Sequence, residues 1–231
     1  MQRRDFLGFC AASAASAGVR ALAADARQQL YGRVRLVGEN GAPLRASAIP
    51  ANRNLIFHYH YASTPCFLLN LGRPARASTL LKTADGKPYE WRGGVGAQRS
   101  LVAYSAICAH KLSYPTRDIS FISFRADRSA RNKFANVIHC CSEHSQYDPA
   151  DGARVLAGPA QQPLAAILLE HDLANDELHA VGTLGGEMFN EFFAKYAFRL
   201  ALDNGGAPRR AVQGDAVVTE LENYCKQQVK C

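Results

Sequence analysis

The sequence predicts a mainly β protein: an antiparallel sandwich followed by a short helical C-terminal extension. Three observations carry this. Apolar and polar residues alternate along short runs, the first of them Leu30 to Val37. Turn-forming clusters recur between the runs, at Glu39-Asn40-Gly41-Ala42-Pro43, Asp85-Gly86-Lys87-Pro88 and Arg92-Gly93-Gly94. No long helical period occurs before residue 186.

Residues 1–23 read as a targeting segment outside the fold. Arg3-Arg4-Asp5-Phe6-Leu7 is a twin-arginine pattern, a mildly apolar run follows to Val19, and Ala21-Leu22-Ala23 is a small-x-small cleavage site. A membrane span needs about 20 apolar residues, and this run is shorter and rich in Ala, Ser and Gly. The expectation is cleavage after Ala23 and a periplasmic protein; retained, the segment would be an anchor. The chain has 27 Lys and Arg against 20 Asp and Glu, a net charge of +7. The leader holds Arg3, Arg4 and Arg20 against Asp5, so the remainder keeps only a modest positive surplus. No basic cluster interleaves with aromatics, which argues against nucleic acid as a partner.

The elements then follow in order. Leu30 to Val37 is a half-buried strand. Residues 54–61 and 65–71 are two more, and residues 100–106 form a strand feeding the turn at Cys108. His58 and His60, two apart, share a strand face, read as a structural face and not a metal pair because no carboxylate or cysteine lies at matching spacing. Residues 118–134 look like an inserted hairpin. Val137-Ile138 leads into a second cysteine-containing turn, with His139 at the strand end. Residues 165–170 and 177–182 form a closing hairpin, whose turn is flanked by His171 and His179, taken as surface residues. Residues 187–202 carry Met188, Phe189, Phe192, Phe193, Tyr196 and Leu200 at helical spacing. This aromatic stripe fits packing on its own domain or docking on a partner. A linker follows over residues 203–208, then a second short helix over 217–227 and a tail with Cys225 and Cys231.

The chemistry sits in two short segments, Cys108-Ala109-His110 and Cys140-Cys141-Ser142-Glu143-His144. They read C-x-H and C-x-x-H, each offering one thiolate and one imidazole. Spacing selects Cys108, His110, Cys141 and His144, with Cys140 pointing away; a C-x3-H alternative would use Cys140. Two centres suit such a set. One is tetrahedral Zn²⁺ with mixed sulfur and nitrogen ligands. The other is a [2Fe–2S] cluster with two Cys on one iron and two His on the other. Zinc-finger pairs group cysteines with cysteines, whereas here each loop mixes the two types, as a two-iron cluster requires.

The runs Val102 to His110 and Cys141 to Asp148 resemble the two cluster loops of Rieske iron–sulfur proteins. Gly152, Gly158-Pro159-Ala160 and Pro163-Leu164 resemble that family's downstream segment with its proline loop. The resemblance covers about residues 30–184 and is nearest to Rieske subunits of cytochrome bc-type complexes and of arsenite oxidase. It divides the chain into a twin-arginine signal peptide (1–23), a Rieske [2Fe–2S] domain (24–184) with a two-loop cluster-binding subdomain, and a helical extension and tail (185–231). It implies one Rieske-type cluster on Cys108, His110, Cys141 and His144. Ser145 and Tyr147 would hydrogen-bond towards sulfur.

The family's loop-bracing disulfide would join positions occupied here by Ser113 and Glu143, so some other brace is needed. Respiratory members place the Ser and Tyr two and four residues after the second His; here Ser145 and Tyr147 come one and three after His144. Cys66, Cys140, Cys225 and Cys231 remain for disulfides, with Cys225–Cys231 the pairing a flexible tail makes easiest.

The function implied is one-electron transfer in the periplasm, with a quinol or a molybdenum enzyme as donor and a c-type cytochrome as acceptor. The protein would be an electron-transfer subunit and not a catalyst alone. Its partners would be cytochrome c and a cytochrome b-type or molybdopterin subunit. Membrane association would be indirect or through an uncleaved signal. Rieske potentials run from about −150 to +300 mV, against about −400 mV for all-Cys plant-type clusters. A Rieske oxygenase is disfavoured because no 2-His-1-carboxylate site follows. The competing reading is a non-redox protein with a structural Cys₂His₂ zinc site.

Overall fold

The computed structural model describes residues 27–231, so the expected twin-arginine leader lies outside the described residues. The architecture is mainly β, as expected. Its largest sheet has eight strands in the order Asp215–Val217, Gln28–Val37, Glu177–Leu184, Ala166–Asp172, Leu101–Ser105, Pro65–Asn70, Leu55–His58 and Thr219–Glu220. The pairings are antiparallel except that of Asp215–Val217 with Gln28–Val37. The two outermost strands are consecutive in the chain, with Val218 alone between them. The sheet must therefore curl until its edges nearly meet, and this gives it two buried faces.

Side-chain alternation divides each central strand between those faces. Cys66 and Leu68 point into one apolar cluster with Leu36, Phe57, Tyr59 and Ala103. Phe67 and Leu69 point into the other, with Val102 and Tyr104. Burial on both sides is why residues 65–71 read as a nearly continuous apolar run.

The second cluster is closed from outside by a four-stranded antiparallel sheet, ordered Arg154–Ala157, Ser145–Asp148, Val137–Cys140 and Ile122–Arg125. It contributes Ile122, Phe124, Ile138 and Tyr147. The expected hairpin within residues 118–134 is not formed: Ile122–Arg125 pairs instead with Val137–Cys140, the strand that enters the second turn. Thr79–Lys82 and Pro88–Trp91 form a separate small hairpin.

The helix Phe189–Asp203 packs on its own chain. Phe189, Phe192, Phe193 and Leu200 bury against Ile107 and Leu112, on either side of the Cys108 turn. The expected second helix shrinks to Leu221–Tyr224. The residues around it pair as strands instead, because their backbone groups find partners at Leu55–His58, Gln28–Val37 and Ile119–Ser120. No described helix is long and apolar enough to cross a membrane.

The strand carrying His58 ends there. His58 Nε2 lies 3.4 Å from Tyr224 Oη, while His60 stacks on Tyr31 with ring centroids 3.8 Å apart, so the two do not act as a pair. His171 and His179 are not surface residues. His179 is buried, on a strand flanked on both sides, and His171 is half-buried and meets Asp176 of its own hairpin turn at 2.9 Å.

Candidate metal centre

The first turn leaves the strand Leu101–Ser105 and closes on itself: Leu112 N–H donates to Cys108 O at 3.0 Å, and Cys108 N–H to Ser113 O at 2.9 Å. Backbone hydrogen bonding thus holds the loop where the resemblance would place a cysteine. Leu112 takes φ +60° and turns its side chain into the aromatic cluster under the helix.

The second turn, residues 141–144, joins Val137–Cys140 to Ser145–Asp148, with Cys140 paired to Ser145, His139 to Gln146 and Ile138 to Tyr147. Directly paired antiparallel residues share a face. Ile138, Cys140, Ser145 and Tyr147 therefore form an inward set facing the first turn, and His139 and Gln146 lie on the other side.

This alternation corrects the expected ligand set. Cys140, not Cys141, faces Cys108: the two share one buried cluster with Ile138 and Tyr147, each thiol shifts the titration of the other, and both are unbridged. Cys141 points to the His139 side and forms a disulfide with Cys231, with S–S 2.08 Å and Cα–Cα 5.7 Å. Its sulfur is consumed. The pairing of Cys225 with Cys231 is likewise not formed, and Cys225 is a free buried thiol. The tail reaches the turn because Gln227–Gln228 adds in parallel to Ile119–Ser120, and Val229 N–H donates to Ser120 O at 2.9 Å. The Cys141–Cys231 bond is the brace that Ser113 and Glu143 cannot supply.

His144 sits at φ +60°, with its ring 5.6 Å from that of His139. The residue that meets His110 is Glu143, whose Oε2 lies 3.4 Å from His110 Nδ1. The Gly158 loop seals this arrangement. A Cβ at Gly158 would come within 2.5 Å of Ser145 Cα and 2.6 Å of His144 O, so only glycine lets it lie flat on the second turn.

Of the two expected hydroxyls, that of Tyr147 lies beside a sulfur, while Ser145 Oγ has no partner. Tyr147 Oη accepts from Ala109 N–H at 3.2 Å and lies 3.3 Å from Cys108 Sγ, leaving its proton to point at sulfur. Ser145 Oγ and His110 Nδ1 are both buried without a hydrogen-bond partner. Two buried orphan polar atoms beside a thiol pair are what a site shaped around an additional group leaves behind.

The electrostatics agree. The facing Cys140 thiol pulls the Cys108 thiol below its ordinary range against the opposing effect of burial. The facing Cys108 sulfur, with burial, pushes Cys140 up. Burial first, then the facing Cys108 sulfur, pushes the Tyr147 phenol up and keeps it protonated. On the outer face, burial and the charge of His144 hold His139 down to about 4.

Among solved structures, the chain is similar to the soluble domain of the Rieske protein II (soxF) from Sulfolobus acidocaldarius. Identity is 24%, coverage is 68% of this chain and 82% of that one, and the TM-score is 0.45. That protein belongs to the family which the two loop segments resemble. No protein-family model matches the chain.

Among the described residues, the group that gathers three ligand atoms within 4.8 Å is His139, Cys141 and Cys231, and two of those sulfurs are bonded to each other. Residue-by-residue reading kept Cys140 only as the alternative ligand, and it missed Glu143 and the bond of Cys231 to the second turn. A signal for Cys140 was present: Ile138 reads as core, and period two then turns Cys140 inward with it.

Proposed function

We propose that the protein is a one-electron carrier holding a Rieske-type [2Fe–2S] cluster between its two turns. The observation that carries this is the buried Cys108–Cys140 thiol pair, brought together from separate loops beside the unpartnered Nδ1 of His110. Cys108 and Cys140 would hold one iron, and His110 with a donor from the second turn the other. When bound, such a cluster supplies reversible one-electron exchange at a potential above that of all-cysteine clusters.

The chain's own residues shape the rest. Tyr147 O–H, aimed at Cys108 sulfur, stabilises added negative charge there and raises the potential. The helix residues Phe189 and Phe192, with Ile107 and Leu112, keep water from the buried side of the first turn. The His110 side chain keeps 23% of its surface exposed, so an electron can enter and leave at that edge.

The zinc reading fits less well. Four ligands on one zinc with bonds of 2.0–2.3 Å must lie within about 4.6 Å of one another. Among the described residues, no three of Cys108, His110, Cys140 and Glu143 bring their ligand atoms within 4.8 Å of one another, a spread that a two-iron centre bridges and a single zinc does not.

A periplasmic setting is favoured by the twin-arginine pattern and by the Cys141–Cys231 bond, since disulfides persist in oxidising compartments. A quinol or a molybdenum enzyme as donor and a c-type cytochrome as acceptor suit a carrier with this type of cluster. The test is composition and spectroscopy of the matured protein. Two irons and two labile sulfides per chain, with a rhombic paramagnetic signal on reduction, are expected. Stoichiometric zinc without iron would overturn the reading.

A further inference from the structure

We propose that the second turn supplies Glu143, and not His144, as the fourth ligand, giving two sulfurs, one imidazole and one carboxylate. The inference rests on the cluster reading above and specifies its ligand set.

The geometry is local. Cys140 to Glu143 is the same three-residue step that Cys141 to His144 offers in sequence, moved back by one. Because period two puts Cys140 inward, the step must be counted from Cys140. The donor that then reaches His110 is the Glu143 carboxylate, 3.4 Å from Nδ1. Yet this nitrogen makes no hydrogen bond, so the two groups are neighbours without being bonded to each other. Two donors each about 2.1 Å from one tetrahedral metal lie about 3.4 Å apart, the separation observed. A carboxylate is a competent ligand, and among the described residues nothing else binds either group.

His144 is held away. Its backbone adopts the left-handed region, its carbonyl is backed by Gly158, and its ring lies towards His139. Swinging it to the His110 side would undo the Cys140–Ser145 pairing. That pairing also places Tyr147 opposite Ile138, with its hydroxyl on Cys108.

One carboxylate in place of an imidazole adds negative charge to the centre and holds its potential below that of a two-histidine set.

The test counts nitrogen ligands on the reduced, cluster-loaded protein by pulsed electron paramagnetic resonance, using ¹⁵N-histidine labelling. Wild type should show one coupled imidazole. His144→Ala should keep that coupling and its iron and sulfide content, while His110→Ala should lose it. Glu143→His should show a second coupled nitrogen and a higher midpoint potential. Two coupled imidazoles in wild type, one of them lost in His144→Ala, would overturn the ligand assignment while leaving the cluster reading intact. Wild type without iron and sulfide would overturn both. Glu143→Ala with unchanged iron content, coupling and potential would also overturn the assignment.

Discussion

Replacing Cys231 by Ser removes the covalent brace on the second turn without touching a residue that faces Cys108. The Cys141–Cys231 bond closes a loop with a sequence separation of 90. In the chain-entropy account, a loop of that length restricts the unfolded chain by about 4.6 kcal/mol at 25 °C. A chain of this size shifts its melting temperature by roughly 2–4 °C per kcal/mol, so a drop of about 9–18 °C is expected. The folded tail should stay in place, because the Gln227–Gln228 pairing and the Ser129 Oγ donation to Cys231 O at 2.7 Å do not involve the sulfur. The loss therefore acts on the unfolded state. Calorimetry of cluster-loaded Cys231→Ser, Cys141→Ser and the double variant should give one common melting temperature, since each removes the same bond. A Cys231→Ser protein melting within 2 °C of wild type would refute the brace. So would alkylation of Cys141 and Cys231 in unfolded, unreduced wild type.

Three further outcomes follow from the same geometry. Cys140→Ser should abolish the visible absorption of the cluster while Cys141→Ser keeps it; the opposite result would return the ligand role to Cys141. Tyr147→Phe should lower the midpoint potential by about 40 mV, the equivalent of one hydrogen bond worth about 1 kcal/mol, and an unchanged potentiometric titration would mean that the hydroxyl does not reach sulfur. Burial first, then the charge of Arg117, holds His58 down to about 4 from 6.5. The unfolded chain thus takes up its proton before the folded one as pH falls. The stability it contributes, on the order of 3 kcal/mol, is complete above pH 6.5 and lost as pH falls through about 4. Urea midpoints of His58→Gln should therefore fall less steeply than wild type across that window, and parallel curves would count against the burial argument.

Much of the fold was legible because strand periodicity is a local property. Leu30 to Val37, residues 65–71 and the closing hairpin could each be read from their own residues, and the aromatic stripe over 187–202 announced a helix. The tail was not legible. Asp215–Val217, Thr219–Glu220 and Gln227–Gln228 have little periodicity of their own and become strands because Gln28–Val37, Leu55–His58 and Ile119–Ser120 offer unpaired edges. His179 misled for a related reason, since burial depends on which strands lie alongside.

The site divides in the same way. By itself the sequence determined that two loops, one around Cys108 and one at 140–144, carry thiols and imidazoles spaced for a metal centre. Ligand-type residues at short intervals are a covalent fact of the chain. Which of two adjacent cysteines turns inward, which residue of Glu143 and His144 meets His110, and where Cys231 ends belonged to the tertiary structure. Those choices are set by strand register, and register is fixed only when Ile138 and Tyr147 enter the shared core and the C-terminal strand docks beside Ile119–Ser120.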